Sequence, residues 1–268
     1  MRTRPIPRSG EALPVIGLGT WQTFDAGEGE RPSLREVLAA FLDGGGKVID
    51  SSPMYGRAET MVGDLLRDLG RTKEPFIATK VWTSGKPKGE AQMRDSIRKL
   101  GRVDLMQVHN LLDWKTHLPT LRAMKEQGTI RYIGITHYGE SAFAEMERIL
   151  RGEKVDFVQL PYSVATRAAE NRLLPAAAET KTAVLVMRPF EEGALFARVK
   201  GKALPAWAAE AGCASWAQLF LKFIVSHPAV TCVIPATAKK SHLLDNLGAG
   251  SGPLLDDKLR AQLAALLS

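Results

Sequence analysis

The chain has little of what marks most specialised protein classes. It carries 2 cysteines, Cys213 and Cys232, and no CxxC pair. That excludes a disulfide scaffold or a cysteine-rich zinc site, and two free thiols in a reducing, cytoplasmic setting are expected. No apolar run approaches the roughly 20 residues that cross a bilayer. The best candidate, around Leu219 to Val225, is interrupted by Lys222, and the opening MRTRPIPRSGEALP lacks the apolar middle of a signal peptide. No membrane partner is expected. No Ser/Gly linker or low-complexity tract divides the sequence, so residues 1–268 are read as one domain.

Charge is plentiful but scattered. Thirty-six basic and 29 acidic residues give a net charge of +7, with no block of five or six like charges. Nucleic acid is therefore not the expected partner. A solvated surface with a cationic bias suits an anionic small ligand. Hydrophobic residues at 45% and charged residues at 24% are ordinary globular values and argue against disorder, collagen and coiled coil.

What recurs is a short apolar run followed by an amphipathic helix. The runs are VIGL from Val15, KVID from Lys47, FIAT from Phe76, DLMQVH from Asp104, IRYIGI from Ile130, DFVQL from Asp156, AVLVM from Ala183 and VTCVI from Val230. Their nearly continuous apolar character is that of parallel strands buried on both faces. Between them lie helical stripes such as Leu34, Val37, Leu38, Phe41 and Leu42. Later stripes run through Trp216, Leu219, Phe220 and Phe223, and through Leu259, Leu263 and Leu266, the last as a closing helix. Consecutive strand starts are roughly 26 to 32 residues apart for six steps, about one βα unit. The seventh step is longer and holds extra material from Phe190 to Cys213. Eight such units predict an α/β fold of the (β/α)8 barrel type, with an outer helical ring. A doubly wound sheet also alternates, but GLGTWQ at Gly17 lacks the third glycine of the dinucleotide fingerprint.

In a barrel the C-terminal strand ends share one mouth, so the polar residues that end strands should converge. They are Asp50, Lys80, His109 with Asn110, Thr136 with His137, Gln159, Arg188, and Thr237 with Lys239. Asp50 and Lys80 alone could be a structural ion pair, and a lone histidine is more often a core residue. Three titratable groups at three consecutive strand ends, with Tyr55 five residues past Asp50, point instead to a shared site.

The stretch that opens at Asp50 and runs on as SSPMYGRAE from Ser51 is more specific than any single residue in it. With IGLGTW at Ile16, ATKVW at Ala78, DLMQVHN at Asp104, IRYIGITH at Ile130, DFVQLPYS at Asp156 and VIPATAKKSHLLDN at Val233, the chain resembles the aldo-keto reductase superfamily. The matches run in family order over residues 16–246. The resemblance implies the barrel and NADP(H)-dependent reduction of an aldehyde or ketone. In that reading Tyr55 is the general acid, Lys80 lowers its pKa, Asp50 holds Lys80, and His109 orients the substrate oxygen. Physical chemistry supports the set independently: a phenol with a pKa near ~10 is a poor acid alone, and a neighbouring ammonium favours its phenolate.

The resemblance also implies a cofactor site. It comprises Gly19, Thr20 and Trp21 after the first strand, Asp50, Gln159 on the nicotinamide amide, and Thr136 and His137 where Ser-Asn is usual. Met187 falls where a stacking tyrosine is common, followed by Arg188, an alternative partner for a cofactor phosphate or a substrate anion, and Pro189. Thr237, Lys239, His242 and Asn246 lie on or near the helix after strand eight, whose N-terminus can bind phosphate. Ala236 stands where a lysine is common, and His242 where an arginine pairs with the extra phosphate, which leaves NAD(H) as the alternative cofactor. Trp21, Tyr55, Trp82, His109 and Asn110 are the expected substrate contacts. Trp114, Tyr138 and Phe190 are further loop aromatics expected at the mouth. No metal is expected. Two rival readings share the barrel: a non-catalytic nicotinamide-binding sensor, and a lysine aldolase forming a Schiff base at Lys80. Against the aldolase, Asp50 should raise the lysine pKa.

Overall fold

The computed structural model describes residues 1–267; Ser268, the last residue of the expected domain, lies outside them. All eight expected strands form, as β3 (Leu18–Gly19), β4 (Val48–Asp50), β5 (Phe76–Val81), β6 (Leu105–His109), β7 (Tyr132–Thr136), β8 (Phe157–Pro161), β9 (Ala183–Met187) and β10 (Cys232–Val233). They pair in sequence order, every pair parallel. Single parallel bridges, Ile16 to Val233 and Gly19 to Ala236, join the last strand to the first and close the sheet into a (β/α)8 barrel. Gly19 is needed at this seam, because a Cβ there would lie 2.7 Å from the Ile234 carbonyl.

The expected stripes become α1 (Arg31–Asp43), α2 (Ala58–Asp68), α3 (Lys86–Leu100) and α4 (Trp114–Glu126), followed by α5 (Phe143–Glu153) and α6 (Leu173–Glu179). The long seventh crossover holds α7 (Ala194–Arg198) and α8 (Trp216–Val225), and the chain continues into α9 (Lys240–Gly248) and α10 (Asp257–Ala265). Local chemistry sets several boundaries. Ser215 caps α8 by accepting from the Gln218 N–H at 3.0 Å, and Asp256 caps α10 through Leu259 N–H at 2.8 Å. The closing helix α10 docks through the buried Leu263 and through Arg260, which donates to the Tyr162 hydroxyl at 2.6 Å and to Glu170 at 2.8 Å. Leu266 falls just past the last turn and is exposed; Leu267 is buried in its place.

The sequence reading missed an antiparallel hairpin ahead of the barrel, β1 (Thr3–Pro5) and β2 (Ala12–Pro14). At three residues per strand it is too short to show periodicity. Its Ile6 and Leu13 are fully buried among inward residues of the strands' first halves, including Phe76, Tyr132, Phe157 and Leu185. The three rings pack at centroid distances of 5.5 to 5.8 Å. The hairpin plugs the N-terminal end of the barrel, and Tyr132 ties to its turn through Ser9 at 3.0 Å. The opposite end is left open to build a site.

Candidate active site

Side chains alternate along each strand, so residues two apart share a face. Phe76, Ala78 and Lys80 face inward on β5, as Leu105, Gln107 and His109 do on β6. Each strand is apolar at its start and polar at its end. Lys80, fully buried, donates to Asp50 Oδ2 at 2.6 Å and to the Ser51 carbonyl at 2.8 Å. The other Asp50 oxygen accepts from Gln159 at 2.7 Å and Gln107 at 3.3 Å. A buried carboxylate with its lone pairs so occupied is compensated for its lost water. Gln107 was not foreseen, although its place two residues before His109 on one strand was the available signal.

The Lys80 ammonium sits 4.9 Å from the centroid of the Tyr55 ring. Tyr55 packs edge-on to His109 at 5.9 Å and against Trp21 at 4.9 Å. Four side chains from three strands and one loop therefore meet in one volume. Burial pulls the Lys80 pKa down, but Asp50 and Tyr55 outweigh it, and the net shift is upward. Lys80 is an ammonium, not the free amine a Schiff base requires. Burial pushes the Tyr55 phenol up, against the pull of Lys80. The ammonium lowers the phenol's pKa, the direction expected of Lys80, but the loss of water outweighs it, and the phenol keeps its proton at neutral pH. Burial, with the Lys80 and His137 charges, drives His109 down to about 3, so its imidazole is neutral.

A cavity of about 1160 Å³ opens above these groups. Asp50, Tyr55, His109, Asn110 and Gln159 line its floor. Gly19, Thr20 and Trp21 line it from the end of β3, and Met187, Arg188 and Pro189 line it from the end of β9, two strands away around the closed barrel. Thr237, ahead of α9, and His242 and Asn246 on α9 line the far end. Other expected residues stand elsewhere. Thr136 is fully buried, and its hydroxyl turns to Gln159 Oε1 at 3.4 Å. His137 accepts from the Gly139 N–H at 3.0 Å and stacks on Tyr138 at 5.3 Å, outside the lining. Lys239 precedes α9 and does not line the cavity, although its N–H binds Thr237 Oγ1 at 3.1 Å. Trp82 does not line the cavity; its ring stands 6.3 Å from His109, and its backbone N–H donates to Gln92 at 2.6 Å. Trp114 is not at the mouth: it opens α4, and its indole donates to Glu145 at 3.1 Å.

Several lining residues gave no sequence signal. Ser215, Trp216 and Asp245 reach the far end because the long seventh crossover folds back over α9, where Ser215 and Gln218 both donate to Asp245 at 2.7 Å. Phe190, Phe196, Phe220 and Trp216 form a chain of ring contacts at 5.0 to 5.8 Å along that side. The backbone there is bent: Arg188, Glu191 and Glu192 all have positive φ, and Glu191 is anchored by the Ser163 hydroxyl at 2.7 Å. Such conformations are held by their surroundings and cluster at ligand sites.

The family model for the aldo/keto reductase family matches residues 15–267. The chain belongs to this family. It is 30% identical to methylglyoxal reductase YeaE of Escherichia coli (strain K12), over 92% of this chain and 89% of that protein. It is 25% identical to an NADH-specific methylglyoxal reductase of the same organism, over 73% and 69% of the two chains. A crystal structure of an aldo-keto reductase from Klebsiella pneumoniae in complex with NADPH superposes with a TM-score of 0.83 at 26% identity, covering 100% of this chain and 96% of that one.

The residues of the present cavity fit a dinucleotide. The space runs from Tyr55 and His109 to the first turn of α9, whose free backbone N–H groups suit a phosphate. Among the described residues no cluster of His, Cys, Asp and Glu could hold a metal ion, and no helix is long and apolar enough to cross a membrane.

Proposed function

We propose that this chain, as one domain, is an NADP(H)-dependent reductase of small aldehydes or ketones. The observation that carries the reading is the Lys80 ammonium, locked to Asp50 at 2.6 Å and lying 4.9 Å from the Tyr55 ring. The bound cofactor supplies a hydride to the carbonyl carbon, and negative charge grows on the oxygen. Tyr55, protonated at neutral pH, gives its hydroxyl proton to that oxygen. The phenolate left behind is stabilised by the ammonium beside it, a charge already in place when the proton moves. Asp50, held by two amides, keeps Lys80 from swinging away. His109, neutral and on the cavity floor, hydrogen-bonds the substrate oxygen and fixes its approach. Asn110 and Trp21 complete the substrate wall.

Gln159 and Met187 suit the nicotinamide ring, the first through its amide and the second by packing a thioether on a flat face. Thr237, His242 and Asn246 suit the adenosine end. Lys239 and Lys240 supply the positive charge near α9 for the extra phosphate of NADP(H); Ala236 and His242 contribute less than a lysine and an arginine would. The NADPH-bound structural relative supports NADP(H), and the NADH-specific relative names the alternative. An α-oxoaldehyde such as methylglyoxal heads the substrate panel, on the reductase that shares 30% identity.

The test follows absorbance at the nicotinamide band with a panel of aldehydes and ketones, for the wild type and Tyr55→Phe. The variant should lose roughly 10²–10⁴-fold in kcat, the range for removing a general acid, while NADPH affinity measured by fluorescence stays within a factor of two or so. Unchanged turnover in Tyr55→Phe would remove Tyr55 from the chemistry. NADPH binding without turnover on any carbonyl would favour the sensor.

A further inference from the structure

We propose that Ser52 is a positioning residue that holds the His109 imidazole in the tautomer with its hydrogen on Nε2, so that the ring offers a donor to the substrate oxygen. The inference rests on the reading of His109 as the group that orients that oxygen, and it names the residue that makes the orientation possible.

A neutral imidazole has one donor and one acceptor nitrogen, and which is which depends on the partner of the far nitrogen. His109 Nδ1 lies 3.0 Å from Ser52 Oγ. Taken alone, that contact is ambiguous, because a hydroxyl both gives and takes. The surroundings of Ser52 decide it. Its oxygen already accepts from the Met54 N–H at 3.2 Å. Its side chain is fully buried, and among the described residues Nδ1 is the only acceptor the hydroxyl hydrogen has within reach. Were Nδ1 to carry the hydrogen, the serine hydrogen would be left buried and unpaired, which costs free energy. The satisfied arrangement runs from Met54 N–H to Ser52 Oγ, and from Ser52 O–H to His109 Nδ1. The His109 hydrogen is then on Nε2, the nitrogen with no partner among the described residues, on a ring that lines the cavity.

The direction matters for the reaction. A carbonyl oxygen gaining negative charge needs donors, and an unprotonated Nε2 would repel it. Ser52 also lies between Asp50 and Tyr55 in sequence, so one short turn carries the ammonium's partner, the tautomer lock and the acid. The Met54 N–H contact closes that turn, tying the backbone next to Tyr55 to the ring beside it.

The test reads the tautomer directly. The protein labelled with ¹⁵N-histidine is recorded by long-range ¹H–¹⁵N correlation, with and without NADPH. His109 is assigned among the five histidines by its loss in His109→Gln. The wild type should show Nε2 protonated and Nδ1 bare. Ser52→Ala should move His109 to a mixture of the two forms, with kcat/KM for a carbonyl falling roughly tenfold, the size expected for misdirecting one hydrogen bond, and with NADPH affinity unchanged. A wild-type spectrum with the hydrogen on Nδ1 overturns the proposal, as does Ser52→Ala with an unaltered tautomer. The spectrum does not depend on turnover, so it separates failure of the lock from failure of the reductase reading.

Discussion

The barrel interior is one tube with two unlike ends. At the N-terminal end Phe76, Tyr132 and Phe157 pack with Ile6 and Leu13 of the hairpin into a closed apolar layer. At the C-terminal end the same strands supply Lys80, His109, Thr136 and Gln159. The carboxylates of the two ends differ as much as the layers. Asp104 and Asp156 stand just before β6 and β8. They accept from the neighbouring strands' Ile77 N–H at 2.8 Å and Ile133 N–H at 3.0 Å, and they reach partly exposed cations. They staple the rim. Asp50 has no contact with solvent-exposed cations among the described residues; its partner is an ammonium buried completely. One end spends its polar groups on the backbone and seals the tube. The other turns them into a cavity, where a fixed charge acts on a phenol.

Lys80→Met tests the difference most severely. It strands Asp50 among two glutamines and removes the charge beside Tyr55. The expected loss in stability is about 3 kcal/mol, at the low end for breaking a buried pair because Gln159 and Gln107 still hold the carboxylate. The folded fraction should lose roughly 10³-fold in kcat. A variant that unfolds more easily but turns over normally would reduce the polar end to a second structural layer.

Leu13→Ala attacks the other end. Truncating a fully buried leucine of the plug should lower stability by about 2–3 kcal/mol in denaturant titration, with kcat and KM unchanged at a temperature where the protein stays folded. A change in kcat would mean that the plug and the mouth are mechanically coupled.

Much of this contrast was legible in the sequence, because strand ends are positions a reader can count. Asp50, Lys80 and His109 each close an apolar run, and their convergence follows from the barrel alone. The parts that were not legible share a physical cause. The sign of the Tyr55 shift depends on how much water the phenol loses against how near Lys80 comes, and neither quantity is written in residue order. Trp82 reads as a pocket wall and Trp114 as a further loop aromatic; the Trp82 backbone N–H is held by Gln92, outside the cavity lining, and a carboxylate on α5 draws the Trp114 indole away. Thr136 lies beside Gln159 on the neighbouring strand, and that its hydroxyl turns to the glutamine oxygen is a cross-strand pairing that residue order alone does not give. The far end of the cavity depends on how Ser215 and Gln218 at the start of α8 dock onto Asp245 of α9, a tertiary choice that residue order does not give.

The smallest effect compares neighbours on β5. Lys80 points inward to Asp50, while Thr79 points outward to Glu59, whose carboxyl accepts the threonine hydroxyl at 2.6 Å. Glu59 is as buried as Asp50, but its other oxygen has no partner among the described residues and no cation reaches it directly. Burial therefore pushes its pKa up, with Thr79, Ser96 and Lys99 opposing less strongly. An acid whose folded pKa is raised binds its proton more tightly when folded. Stability is then highest below the unfolded value near ~4.3 and declines as pH climbs from there through the folded pKa. Glu59→Gln keeps the acceptor for Thr79, leaves an amide beside the neighbouring Ser96 hydroxyl, and removes the charge. The variant should match the wild type in Tm near pH 4 and exceed it by roughly 2–4 °C at pH 8, the shift about 1 kcal/mol produces in a domain of this size. Equal Tm values for variant and wild type from pH 4 to pH 8 would mean that Glu59 is ionised at no cost, and that a buried carboxylate in this barrel needs no ammonium beside it.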